Sequence, residues 1–292
     1  MYSKIPISEE EESVMDNLHW LSLGCVLFAA AAQYESGAPG QKSAFRWPEG
    51  KRAALSLSFD DARPSQIDNG LPLLNKHGVK ATFYVSPPRL GERLEGWKQA
   101  VKDGHEIGNH SLTHPCSGNF PWSQKKALEL MTLDGIREEL VGASREIEAQ
   151  LAVTPRTFAY PCGQTFVGRG RDLKSYVPLV AELFQAGRGW MNESPNDPVF
   201  CDLALLMGVP SDNQDFDRIR PVLEQARERG AWLVLAGHDI GNAAERQTTR
   251  IAMLEALCKY AQDPANRIWI DTIGTISEHV ARQRSSLKAE SR

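Results

Sequence analysis

The feature that most constrains this chain is a repeated change of period. Short strand-like apolar runs give way to helical periodicities along most of its length, without internal repeats. Ala54–Phe59 alternates apolar and small polar residues and runs straight into Asp60-Asp61. Val79–Val85, Thr157–Tyr160, Ala231–Ala236 and Arg267–Ile273 are further strand candidates. Between them lie helical stretches at Ile67–Lys76, Leu94–Asp103, Tyr176–Ala186 (stopped by Gly187), Pro221–Arg229 and Thr249–Ala261. Ile136, Leu140, Ala143, Ile147 and Leu151 mark one more, an amphipathic helix with its charges on the other face. Such alternation predicts an α/β fold built on a parallel sheet. The 292-residue length suits a single barrel better than two small domains.

The N-terminus reads differently. Leu18–Ala32 is almost uniformly apolar and ends in four alanines, too short for a membrane span of roughly 20 residues but suited to a secretory leader. Its flank carries Glu9-Glu10-Glu11-Glu12 where a leader has basic residues, so an N-terminal extension is the alternative. The expected organisation is a leader or extension over 1–32, a linker over 33–44, a catalytic domain over 45–283 and a polar, frayed tail over 284–292. Export to the periplasm, cell surface or medium follows from the leader reading, with the cytoplasm as the alternative. No stable membrane span is expected in the mature chain.

Charge narrows the partners. The chain has 33 basic and 37 acidic residues, and residues 1–32 hold one basic and five acidic residues of these. The remainder is formally neutral, with 32 of each sign, so a nucleic-acid partner is not expected. Five cysteines with no CxxC pair argue against a disulfide-dense mini-domain and a thiolate zinc knuckle.

The chemistry sits just past the strand ends. Asp60-Asp61 follows the first strand, where an extended chain would send the two carboxylates to opposite sides. His110-Ser111-Leu112-Thr113-His114 sets two imidazoles at i and i+4, one face of a helical turn able to grip one ion. Gly237-His238-Asp239 follows the apolar strand Ala231–Ala236. Two histidines and a carboxylate leave coordination positions open, as in a catalytic rather than a structural metal site.

Leu57–Asp61, Gly104–His114, Phe158–Gly163 and Leu235–Asp239 resemble, in order, the motifs of the polysaccharide deacetylase family, the NodB-type domain of carbohydrate esterase family four. The resemblance covers roughly Phe45 to His279 and implies a single distorted (β/α)7 barrel with a groove at the strand C-terminal ends. It implies a divalent metal, Zn2+ or another such as Co2+, held by Asp61, His110 and His114. Asp60 would be the general base toward the attacking water and His238 the general acid. Tyr160, Pro161 and Cys162 would shape the oxyanion and substrate region, the Cys162 N–H helping to hold the oxyanion, with Leu235 lining the acetyl-methyl pocket. The implied substrate is an acetylated carbohydrate: N-acetylated amino sugars first, in a chitin oligomer, peptidoglycan or a biofilm polysaccharide. An O-acetyl xylan esterase and a sugar-binding pseudoenzyme are the alternatives.

Two departures from the family pattern stand out. No Arg lies within Phe158–Gly163 to pair with the base, and a residue elsewhere, such as Arg188, is the candidate replacement. Cys162 stands where an aromatic is usual; with Cys116 it is expected as one of two free buried thiols, a disulfide after export being the alternative. The family's fourth motif, an Asp and a Trp, does not align securely. Gly187–Trp190 lies in the right region, with Trp190 either a sugar-stacking residue or a core Trp.

Overall fold

A computed structural model describes residues 45–243 and 245–290. The expected leader over 1–32, the linker over 33–44 and the last two residues of the tail lie outside the described residues.

Strand β1 (Ala53–Asp60) sets the architecture, because all eight of its residues are buried. A strand buried on both faces belongs in the middle of a parallel sheet. Leu55, Leu57 and Phe59 join one apolar cluster with Leu74, Leu223, Leu254 and Leu257 of the helices around the sheet. Ala54 joins another with Tyr84, Trp232 and Val234. The alternation thus separates helix-facing from lumen-facing positions, and Ser56, Ser58 and Asp60 share the parity of Ala54.

The sheet adds β2 (Thr82–Val85), β3 (Glu106–Asn109) and β4 (Thr157–Ala159). The short β5 (Phe166–Val167) and β6 (Lys174–Ser175) pair apart from it as an antiparallel ribbon. Then come β7 (Ala186–Arg188), β8 (Val209–Pro210) and β9 (Trp232–Gly237), a second ribbon of β10 (Asp239–Gly241) with β11 (Thr248–Arg250), and finally β12 (Ile268–Ile270). The spatial order is β7-β4-β3-β2-β1-β9-β8, with β12 beside the first half of β1. Every pairing in this sheet is parallel. A parallel bridge from Arg188 of β7 to Leu206, just before β8, joins the two ends. The result is a curled α/β sheet of eight strands, β12 included, around a lumen, the expected distorted barrel.

The helices are α1 (Leu71–Lys76), α2 (Leu94–Lys102), α3 (Leu133–Leu151), α4 (Val177–Leu183), α5 (Phe216–Arg229), α6 (Ile251–Gln262) and α7 (Ile273–Glu290). The five residues spaced along α3 are its buried ones. Among the described residues, no helix is long and apolar enough to cross a membrane.

Three expectations are corrected. The helix expected over Tyr176–Ala186 ends at Leu183, and Gly187 is not its stop but the middle of β7. A Cβ there would stand 2.3 Å from the Ala204 carbonyl oxygen, so close backbone approach is what requires the glycine. Helix α5 starts five residues before Pro221, which lies inside it; burial of Ile219, Leu223 and Ala226 offsets the one missing hydrogen bond. The tail expected to fray after Gln283 continues α7 to Glu290, with the Arg284 guanidinium donating to the Pro198 and Cys201 carbonyls at 2.7 Å.

Candidate active site

Asp60 closes β1, and the chain then turns through two left-handed residues, Asp61 (φ 77°) and Ala62 (φ 51°). The turn brings both carboxylates to one side, against the expectation of opposite sides. His110 Nε2 lies 3.6 Å from Asp61 Oδ1 and 4.0 Å from Asp60 Oδ2. His114 Nε2 is 3.5 Å from the same Asp61 oxygen. The two histidines do not share a helical turn: the segment after β3 is a loop, and left-handed Ser111 (φ 62°) and His114 (φ 54°) fold the rings to 4.7 Å between centroids. Non-glycine residues in this region cost of order 1–3 kcal/mol each, and such strain gathers at functional sites.

The donor set fits a metal ion. The donor atoms of Asp61, His110 and His114 all lie within 4.8 Å of one another. Two donors each about 2.1 Å from a tetrahedral centre stand about 3.4 Å apart, close to the two spacings at Asp61 Oδ1. The His110 Nδ1–H donates to the Ala159 carbonyl at 2.9 Å, which turns the Nε2 lone pair toward Asp61. Burial, then the neighbouring His110, lowers the His114 pKa to about 4, so its imidazole is neutral and free to ligate. Asp61 is held ionised: burial opposes this, but the nearby His110, His114, His238 and Arg63 prevail. Its other oxygen, Oδ2, accepts from Arg63 Nη2 at 2.9 Å, and Arg63 also reaches Asp239 and Gln247. Asp61 is thereby left with Oδ1 alone for the histidine side.

Asp60 is 4% exposed and its Oδ1 is bound by the Arg188 guanidinium, which is fully buried. Burial works against the Asp60 anion, but the charge of Arg188, and then of His110 and His238, holds its carboxyl below the usual carboxylate range. Arg188 is thus the buried cationic partner of Asp60 that Phe158–Gly163 does not supply. Ala159 and Arg188 are register partners on β4 and β7, so the guanidinium is delivered from the neighbouring strand. The small Ala159 side chain shares the lumen cluster, and the Arg188 guanidinium lies 5.1 Å from the centre of the Tyr84 ring.

His238 follows β9. Its Nδ1 is 2.6 Å from Asp212 Oδ2, while its backbone N–H and the Thr249 hydroxyl donate to Asp212 Oδ1. Burial favours the neutral imidazole, but the bond to Asp212 and the charges of Asp60, Asp212 and Asp61 raise the His238 pKa. Asp212 was not singled out in the sequence. Its signal is faint: a single Asp just past the two-residue β8. Gln66 is also missed, though its buried amide donates to the Asp60 and His238 carbonyls and ties the ends of β1 and β9 together.

Asp60, Asp61, His110, His114, Tyr160, Cys162, Trp190 and His238 line one cavity of about 1370 Å³ at the strand C-terminal ends. The Trp190 ring meets His238 edge-on at 4.9 Å, so it belongs to the cavity wall rather than to the core. Tyr160 is buried with its hydroxyl donating to the Ala204 carbonyl, and Pro161 is buried beside it. Leu235, expected in the wall, is not there: it shares the outward parity of Leu233 and packs in the helix-facing cluster.

Cys116 and Cys162 are not free thiols. They form a disulfide with Cα atoms 6.1 Å apart, tying the loop after His114 to the turn after β4. Cys162 sits at φ 54° in that turn.

The polysaccharide deacetylase family model matches residues 46–174. An uncharacterised Bacillus subtilis protein, YlxY, is 36% identical over 97 residues, covering 33% of this chain and 27% of that protein. The peptidoglycan-N-acetylglucosamine deacetylase of Bacillus cereus is 35% identical over 82 residues, covering 28% of this chain and 37% of the relative. The chain therefore spans well under half the length of these relatives. A candidate polysaccharide deacetylase from Mycobacterium smegmatis superposes with a TM-score of 0.60 at 18% identity, covering 82% of this chain and 94% of that one. A CE4 family pseudoenzyme from Bacillus anthracis gives 0.50 at 20%, covering 78% and 66%. At such identities the structural likeness speaks for the fold alone. The chain thus has the fold of polysaccharide deacetylases, and the match to that family's model spans Asp60, Asp61, His110, His114 and Cys162.

Proposed function

We propose that the chain is a metal-dependent hydrolase that removes acetyl groups from an N-acetylated amino sugar of a glycan. One observation carries the reading: the Asp61, His110 and His114 donors converge beside Asp60–Arg188 and His238–Asp212 in the same cavity. A divalent ion such as Zn2+ or Co2+, held by Asp61, His110 and His114, would supply Lewis acidity toward the acyl oxygen and acidify water.

The chain's own residues account for the proton movements. Asp60 Oδ1 is engaged by Arg188, so Oδ2, on the His110 side, accepts the proton of the attacking water. The His238 Nδ1–H is fixed on Asp212, which leaves Nε2 to protonate the departing nitrogen as the C–N bond breaks. The products are acetate and the free amine. Asp60 kept ionised and His238 kept protonated are the opposite shifts that a base and an acid need at one pH. The Cys162 N–H, at the left-handed turn in the cavity wall, is the proposed donor to the oxyanion.

The pseudoenzyme alternative is disfavoured because both proton-transfer groups retain their buried charged partners. We also propose that the chain works outside the cytosol, which the disulfide supports. Acetate release from a panel of N-acetylated and O-acetylated glycans tests the reading. Release from N-acetyl substrates is expected. Release from O-acetyl xylan alone would move the assignment to an esterase, and silence across the panel with stoichiometric metal would overturn it.

A further inference from the structure

An exposed aromatic pair stands at the mouth of the same cavity and plays no part in proton transfer. Phe120 and Trp122 extend from the loop after Cys116, their ring centroids 5.5 Å apart and their planes at 29°. They remain 39% and 57% exposed, so stacking on each other does not remove them from water. Both line the cavity that holds Asp61, and the Trp122 ring lies 5.8 Å from the His114 ring. Exposed apolar surface continuous with a cleft marks a ligand-binding groove.

The loop that presents them is held at several points. The disulfide fixes Cys116, and the Ser123 hydroxyl bonds both the N–H and the carbonyl of Cys116. The Ser117 N–H donates to Gln164, while Glu129 accepts from the Ser117 hydroxyl and the Gly118 N–H. A shelf fixed in this way binds without the cost of ordering itself. Lys126 donates to the Thr113 carbonyl and keeps its ammonium 5.9 Å from the centre of the Trp122 ring.

We infer that Phe120 and Trp122 form a carbohydrate-stacking subsite for the pyranose ring next to the acetylated one. The inference rests on the reading of the substrate as a glycan. A pyranose offers an apolar face of C–H groups and a rim of hydroxyls, and an aromatic face with an ammonium nearby matches both. The cavity exceeds the roughly 1,000 Å³ upper size of ordinary small-molecule pockets, so more than one ring has room.

Calorimetric titration of the full chain with tri-N-acetylchitotriose tests the subsite without requiring turnover. Trp122→Ala is expected to weaken Kd by about tenfold, Phe120→Ala by less, and Trp122→Tyr to restore most of the loss. Equal affinity in wild type and both alanine variants would overturn the subsite, as would no binding by the wild type. Acetate release is read separately. Release with a Kd indifferent to Trp122 removes the shelf and keeps the deacetylase, whereas Trp122-dependent binding without release does the reverse.

Discussion

At the scale of single residues, the site rests on two buried charge partnerships, and each predicts a distinct pH behaviour. Arg188 neutralises a carboxylate that is 4% exposed, so Arg188→Met leaves a buried anion without a partner. A stability loss of about 3–5 kcal/mol at neutral pH is the usual scale for such a break. The Asp60 pKa is depressed in the fold, so its contribution is present above the unfolded value near 3.8 and is lost as pH falls through the lower folded value. Denaturant titrations should therefore show the gap between wild type and variant shrinking in acid; a constant gap from pH 7 to pH 3 would contradict the pairing. Asp212 acts in the other direction, by keeping His238 protonated to higher pH. Asp212→Asn should move the alkaline limb of kcat/KM to lower pH, because the acid then loses its proton sooner. An unmoved limb would remove His238 as the acid.

Among the elements, the motif-bearing segments were the legible part. Local alternation is enough to place β1, and helical spacing is enough to place α3, since each depends on which side a side chain leaves its own backbone. What local pattern could not place depends on contacts between distant segments. Arg188, named only as a candidate partner, reaches Asp60 across 128 positions, and Asp212, not singled out, reaches His238 across 26, separations that no local period records. The histidine pair was read correctly as neighbours but for the wrong reason, because two left-handed residues, not a helical turn, bring the rings together. Gly187 misled in a similar way: local sequence cannot distinguish a helix stop from a close backbone approach. The Cys116–Cys162 disulfide closes a separation of 46 residues, for which the chain-entropy model gives roughly 4 kcal/mol. Reduction with dithiothreitol should lower Tm and cut acetate release together, and Cys162→Ser should behave the same without reductant. Unchanged activity after complete reduction would show that the two loops hold their places without the bond.

For the whole molecule, the curled parallel sheet gathers strand C-terminal ends from distant parts of the chain around one cavity. Asp60 and Asp61, His110 and His114, Cys162, Asp212 and His238 come from five separate strand ends, so no single element carries the site. Beyond residue 32 the chain has 32 acidic and 32 basic residues, which suits a substrate without high charge. In the proposed function, metal binding and proton abstraction belong to adjacent carboxylates, Asp61 and Asp60, with different roles. Metal stoichiometry and acetate release measured together on Asp60→Asn and Asp61→Ala test it most directly. Asp60→Asn is expected to keep a full equivalent of metal and lose turnover by about 10²-fold or more. Asp61→Ala is expected to lose metal and turnover together. Near-wild-type turnover in Asp60→Asn, or full metal occupancy in Asp61→Ala, would contradict this division of roles.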